Sequence, residues 1–326
     1  MSVLTAPRDP TRPLSRKTMA AFAAVMLVLL LAPAAVVILL REPAVVSDDR
    51  RLAAGRLPTD VAVEGSTVWV VSGRDDRVVA LDVRDVEGDP TIHRAGSSPL
   101  RVAVGGGSVW TANAGDDSVT RIDPLVPGSG RRIAIRAPAV DVAVSAEGTW
   151  VTNGLAGTVT RVDPVGNRVL GTPVRTGSFP AALAVGAGSV WVVNAGDGTV
   201  ARIDPREDVV LGRRIPVGRD PQDIAVGHGS VWVANRGDGT VTRLSARTGR
   251  PEGAIPVGGA PGALAVTAEG VLVLDTRDGT VRAIDPSGRT RRVTRIEGFP
   301  TGLAVGAGSA WVVDARSGTV IRLRPR

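Results

Sequence analysis

The sequence predicts an all-β chain, a seven-bladed β-propeller closed by an N-terminal strand and preceded by one transmembrane helix. Three observations carry that expectation: a unit of 39–41 residues repeated seven times, strand-sized apolar runs with no helical period between them, and one long uncharged apolar segment near the N-terminus.

The repeat shows first in the tryptophans, at 69, 110, 150, 191, 232 and 311. The last gap, 79 residues, is two periods, and its midpoint falls on Leu272. Seven residues before each Trp or Leu272 stands Ala, at 62, 103, 143, 184, 225, 265 and 304, and Val always follows it. Nine residues after each stands another Val, at 78, 119, 159, 200, 241, 281 and 320. Pro precedes the Ala by four in six units, and unit three has Pro138, one place early.

Each unit reads as four short strands. In unit four these are 182–185, 190–194, 199–204 and 209–217, filled by β-branched and aromatic residues. Asp-Gly-Thr at 197–199, 238–240 and 278–280 marks tight hairpins between second and third strands. The second strand, for example Ser-Val-Trp-Val-Val-Asn, is apolar at successive positions, so both of its faces are expected to be buried. Blades stacked face to face around an axis do this, with one Trp wedged between neighbouring sheets.

Unit seven ends after its third strand, and the residues ahead of unit one (Arg51-Leu52-Ala53-Ala54-Gly55-Arg56) lead into Pro58 as a fourth strand leads into the next unit. The N-terminal strand is therefore expected to complete the last blade and remove an exposed sheet edge. The propeller is assigned to residues 50–326, after a basic tail (1–18), a transmembrane segment (19–40) and a spacer (41–49).

Residues 19–40 carry no charge and are long enough to cross a bilayer as a helix. Arg8, Arg12, Arg16 and Lys17 precede them, which places the N-terminus in the cytoplasm and the propeller outside. The alternative is a secreted protein released by signal cleavage near Ala32-Pro33-Ala34. Residues 1–41 hold five basic side chains (the four above and Arg41) against Asp9, a net +4 of the chain's +7, leaving +3 for the remainder. That is too dilute for a nucleic-acid stripe. The chain has no cysteine, which excludes disulfides, thiolate metal sites and a cysteine nucleophile.

The second-strand motif, WVTN at 150–153, WVVN at 191–194, WVAN at 232–235 and WTAN at 110–113, resembles the YVTN family of β-propeller repeats, as do Gly198–Pro205 and Ile215–Pro221 downstream. Similar propellers serve as surface or binding proteins, and some resemble lactonases or the virginiamycin B lyase group. Lyase chemistry in that group implies histidines, a carboxylate near the axis and a divalent cation. Here only His93 and His228 exist, one expected in a fourth strand of unit one and the other in a turn of unit five, so they are not expected to converge.

Gly-x-Gly at 186–188 and 227–229 sits in strand turns without a following helix, so it reads as turn chemistry rather than a phosphate cradle. There is no Gly-x-Ser-x-Gly elbow. The hairpin aspartates 75, 76, 116, 117, 197, 238 and 278 read first as turn formers. Departures from the repeat point to ligand binding, because packing does not require them. Two residues before the common Ala stand Asp60, Arg101, Asp141 and Asp223, and Phe179, Arg219, Asp220 and Phe299 occupy nearby loops. Together they are expected to form a charged and aromatic rim at the channel mouth. A cation shared by Asp60, Asp141 and Asp223 is the narrower reading. The functional expectation is a membrane-anchored module at the cell surface that binds an extracellular protein or small ligand, without a cofactor. The alternative is a metal-assisted lyase or lactonase.

Overall fold

Alternating β-branched and small residues, cut by turns every five to seven positions, leave the chain no option but short antiparallel strands. The computed structural model describes residues 51–85 and 88–324, and the transmembrane segment expected at 19–40 lies outside them. Among the described residues every regular element is a strand. They form seven antiparallel sheets, six of them meanders in chain order.

The innermost strands are Pro58–Glu64, Pro99–Gly105, Ala139–Ser145, Pro180–Gly186, Pro221–Gly227, Pro261–Thr267 and Pro300–Gly306. Each contacts the inner strands of both neighbouring blades, and the last contacts the first, so the ring closes. An N-terminal strand closes the ring, as expected. Arg51–Ala53 pairs antiparallel with Thr319–Leu323 (Leu52 opposite Val320), and the Ala54 N–H extends the ladder to the Gly318 carbonyl at 2.8 Å. Blade 7 thus takes its outer strand from the start of the propeller.

The core lies between blades. Trp191 and Val193 pack with Ile224, Val231 and Val233 of blade 5, whereas Val190 and Val192 of the same strand pack towards Trp150 and Val159 of blade 3. This is why the second strands are buried on both faces: successive side chains serve opposite interfaces. Trp110, Trp150, Trp191, Trp232 and Trp311 are fully buried.

Blade 4 departs from the expected outer strand at 209–217. It is interrupted, as Val209–Val210 and Ile215–Pro216, with Leu211–Arg214 between them. Gly212 turns there with φ +68°, a conformation that breaks a ladder.

Candidate functional site

Every inner strand carries the same irregularity. Pro58 pairs with Ser72 but Asp60 pairs with Val71, and an equivalent register shift precedes Arg101, Asp141, Ala182, Asp223, Ala263 and Gly302. A bulge of this kind re-aims the side chain that follows it. Asp60, Arg101, Asp141 and Asp223 therefore belong to the inner strands at the axis rather than to loops at the mouth.

The three carboxylates staple blades in pairs. Asp60 Oδ2 accepts from the Val102 N–H of blade 2 at 3.0 Å, Asp141 Oδ2 from Leu183 of blade 4 at 2.9 Å, and Asp223 Oδ2 from Leu264 of blade 6 at 2.6 Å. The other oxygens of Asp141 and Asp223 accept from their own following amides, Val142 at 2.8 Å and Ile224 at 2.9 Å. Gly302 completes the ring by omission, since a Cβ there would lie 3.0 Å from Asp60 Cα and Oδ1.

Arg101 is the cation among them. Its guanidinium lies 3.5 Å from Asp60 Oδ1, with side chains 23% and 12% exposed, respectively. Burial alone would lower its pKa, but Asp60, Asp141 and Asp223 raise it above the ordinary value. Burial pushes the carboxyls the other way, with Arg101 and the backbone amides offsetting it only in part. Asp60 is raised, Asp223 reaches about 6 and Asp141 about 7. The cluster therefore carries less negative charge at neutral pH than its composition suggests.

The residues expected in loops are there, but they are engaged. Arg219 bonds Asp238 through its backbone N–H (2.6 Å) and its Nε. Asp220 accepts from Arg236 Nε at 2.8 Å and from the Gln222 amide at 2.6 Å. The Phe299 N–H donates to Asp314 at 2.7 Å, and Phe179 turns into blade 4 with φ +51°. The structure brings Asp60, Arg101, Asp141 and Asp223 into one electrostatic cluster and leaves these four residues distributed over three other loops.

Like Asp238, three more of the hairpin aspartates act as loop ties. Asp75 accepts the Arg56 N–H at 2.8 Å, Asp76 the Ser98 N–H at 2.8 Å and Asp197 the Ser178 N–H at 2.7 Å. The Arg56 amide is the leading cause of the strongly lowered pKa of Asp75.

One column was not singled out in the sequence. Eleven residues after the Trp stand Arg121, Arg161, Arg202, Arg243 and Arg322, each with its guanidinium 4.9–6.0 Å from the indole centroid of its own blade. In four of these the Nε donates to the Ser two residues before the Trp. Blade 1 has Ala80 in that column and sets His93 against Trp69 at 5.4 Å instead. Blade 6, with Leu272, has Ala283. The signal was covariation: Arg appears only where Trp does.

The histidines do not assemble a metal site. His93 is buried in blade 1, and burial lowers its pKa. His228 sits in blade 5 with Nε2 2.8 Å from the Thr267 carbonyl oxygen. Among the described residues no three His, Asp or Glu side chains converge as metal ligands, and the axial carboxylates spend their oxygens on backbone amides of three different blades. The donor set does not fit the divalent cation that lyase chemistry implies.

No protein-family model matches the chain, and no curated protein matches it in sequence. Solved structures share its fold. Virginiamycin B lyase from Staphylococcus aureus, in selenomethionine form, is 12% identical with a TM-score of 0.76 over 86% of this chain and 99% of its own. Hydrazine synthase of Kuenenia stuttgartiensis is 15% identical with a TM-score of 0.72, over 82% and 96%. The β-propeller domain of Cps50 (Swd1) from Myceliophteria thermophila is 12% identical with a TM-score of 0.72, over 86% and 100%. At these identities the likeness shows the propeller fold alone. The resemblance to YVTN repeats rests on the sequence motifs.

Proposed function

We propose that the protein is a recognition or scaffold module, held outside the cell by a membrane anchor at residues 19–40, and that a ligand is received at the axial cluster around Arg101. The supporting observation is the bonding of Arg101. A guanidinium has five N–H donors, and the ion pair to Asp60 uses one of them at the long distance of 3.5 Å. The carboxylates around it are committed to backbone amides. The axis therefore offers spare donors on a rigid frame. Three neighbouring carboxyl groups disfavour an anion, so the best-fitting ligand group is a neutral acceptor such as an amide or ester carbonyl.

Native mass spectrometry of the full chain purified from its host tests this. We expect a bound small molecule on the wild type that is lost from Arg101→Gln. The same adduct on both would overturn the reading. Because the chain has no cysteine, Glu269→Cys tests topology: labelling of intact cells by an impermeant maleimide supports an external propeller, and labelling only after lysis contradicts it.

The alternative, a lyase or lactonase, draws support from the fold it shares with virginiamycin B lyase and from Asp141, whose pKa near neutrality suits proton transfer. It would have to work without the metal. Turnover of a cyclic ester abolished by Asp141→Asn would favour it over simple binding.

A further inference from the structure

The tip of blade 3, where it meets blade 4, breaks the repeat in three columns at once. In blades 1, 2, 4, 5 and 6 an aspartate (75, 116, 197, 238, 278) stands in the second-to-third-strand hairpin, and a glycine (55, 96, 177, 218, 258) stands in the loop leading into that blade. In blades 1, 2, 4 and 5 the two go together for a steric reason, whereas a Cβ at Gly258 of blade 6 would meet nothing. A Cβ at Gly177 would lie 2.5 Å from Asn194 Cγ and 2.6 Å from Asp197 Oδ2, and at Gly218 the corresponding distances are 2.5 and 2.7 Å. Blade 7 lacks both residues, having Glu297 and Ser317, but keeps a hairpin carboxylate in Asp314. Blade 3 has Arg136 and Ala156, and its hairpin, residues 153–158, carries no charge. Arg136 has φ +60°, a left-handed conformation shared by Gly55 and Gly258 in this column; in the loops into blades 1, 2, 4 and 5 the residue two positions later, Leu57, Ser98, Phe179 or Asp220, also holds a positive φ, which Pro138 of blade 3 cannot adopt.

The third departure is Thr176. The residue at this position in the other loops is apolar: Ala54, Ala95, Ile135, Val217, Val257 and Ile296. Thr176 is 3% exposed, and its hydroxyl has no hydrogen-bond partner. An orphaned buried hydroxyl is destabilising, so a group that satisfies it would be gained at this point.

Two of these departures, Ala156 and Thr176, line a groove of about 960 Å³ between blades 3 and 4, a volume suited to a small molecule. Leu155, Ala156 and Phe179 supply its apolar wall. Thr176, Arg175 and Arg213 supply its polar one, and the interruption at Leu211–Arg214 brings Arg213 to it. The guanidinium groups of Arg175 and Arg213 have no ion-pair or hydrogen-bond partner among the described residues, nor has that of Arg136, which lines an adjoining groove on the other side of Ala156. The groove's carboxylate, Asp197, is already bound by Arg214 at 2.8 Å and by the Ser178 N–H. The balance is positive, beside an apolar surface.

We infer that this junction binds a small amphiphilic anion. Its apolar body lies against Leu155 and Phe179, and its carboxylate, phosphate or sulfonate is taken by Arg175, Arg213 and the Thr176 hydroxyl. Charge-assisted bonds from guanidinium to an oxyanion are the strong ones available here. The site is built from loops and an outer strand, apart from the axial residues, and stands if the axial reading fails.

The test titrates the full chain, in nanodiscs of zwitterionic lipid, with 1-naphthyl phosphate, read by fluorescence anisotropy against empty discs. We expect one saturable site, weakened by salt. Inorganic phosphate and 1-naphthol, the two halves of the probe, should each compete at least about tenfold more weakly, as expected when one strong contact is missing. The double variant Arg136→Gly/Ala156→Asp gives blade 3 the pair that five other blades carry, so it should fold. It supplies an internal counter-charge and should weaken binding roughly tenfold or more. Thr176→Val should weaken binding by a smaller factor and raise Tm. Arg213→Gln, an exposed change, must also lower affinity, and serves if the double variant does not fold. Unchanged affinity in the double variant or in Arg213→Gln, or equal affinity for 1-naphthol, would overturn the proposal.

Discussion

Blades 3 and 5 are alike at the axis and in the middle, and they differ at one tip. Both staple the next blade with an axial carboxylate, Asp141 or Asp223. Both stack an arginine on the central indole, Arg161 on Trp150 at 5.4 Å and Arg243 on Trp232 at 5.1 Å. At the hairpin, blade 5 ties its incoming loop down with Asp238, which accepts from Arg219. Blade 3 has Ala156 there, and an unpaired Arg136 in the loop. Where two sheets must pack, neither blade has freedom. The hairpin tip is held only by its own loop, so it can lose a tie without opening the ring.

The comparison can be broken at several strengths. The largest effect belongs to neither blade: deleting residues 51–53 removes the outer strand of blade 7 and leaves Thr319–Leu323 as a bare edge. The full chain without them should aggregate on expression, and a stable, monodisperse product would contradict closure. Next come Trp150→Ala and Trp232→Ala, each expected to cost about 3–5 kcal/mol. The two should agree in denaturant melts; a gap between them as large as the effect itself would show that the belt is not equivalent around the ring. Arg161→Met and Arg243→Met come third, at roughly 0.5–2 kcal/mol each, the range of a cation–π contact.

A pH effect sharpens the likeness at the axis. Asp141 and Asp223 have folded pKa values raised to about 7 and about 6 from 3.8. The folded state therefore binds more protons than the unfolded one between those limits, and stability from these groups falls as pH rises through that window. His93, whose pKa is lowered by burial, works in the opposite direction below its ordinary 6.5. Asp238, with a lowered pKa, contributes stability that is lost only as pH drops below the usual carboxylate range. Comparing Tm of wild type and Asp141→Asn from pH 5 to 8 isolates the axial part. The wild type should lose more stability than the variant on going from pH 5 to 8, and parallel curves would contradict it. The smallest effect is Asp238→Ala, which gives blade 5 the tip of blade 3 and should lower Tm slightly without disturbing the fold.

Much of this was legible in the sequence because packing repeats. The Trp column exists because each indole must fill the same wedge, so Trp69 to Trp311 located the blades and Leu272 marked the blade without one. The closing strand was legible because Arg51-Leu52-Ala53 had no other blade to complete. The axial residues were legible as departures, but not as axial: the bulge after each inner proline turns Asp60 and its equivalents inward, and a bulge leaves no mark in a residue pattern. The interruption of blade 4's outer strand was hidden for a related reason, since an edge strand carries little packing constraint. Arg121 and its column were hidden because a charged residue alternating with apolar ones reads as a solvent face. The tip of blade 3 was visible as Asn-Gly-Leu-Ala-Gly-Thr, yet only the Cβ distances at Gly177 and Gly218 show why a missing aspartate and a missing glycine belong together.

The most direct test of the central claim, that departures from the repeat form the binding surface, is hydrogen–deuterium exchange on the full chain with and without 1-naphthyl phosphate. Protection should appear in the blade 3 hairpin (154–157), the loop at 175–179 and the interruption at 211–214, and should be absent from the regular hairpin at 235–240. Equal protection of the blade 5 hairpin, or none at blade 3, would contradict it.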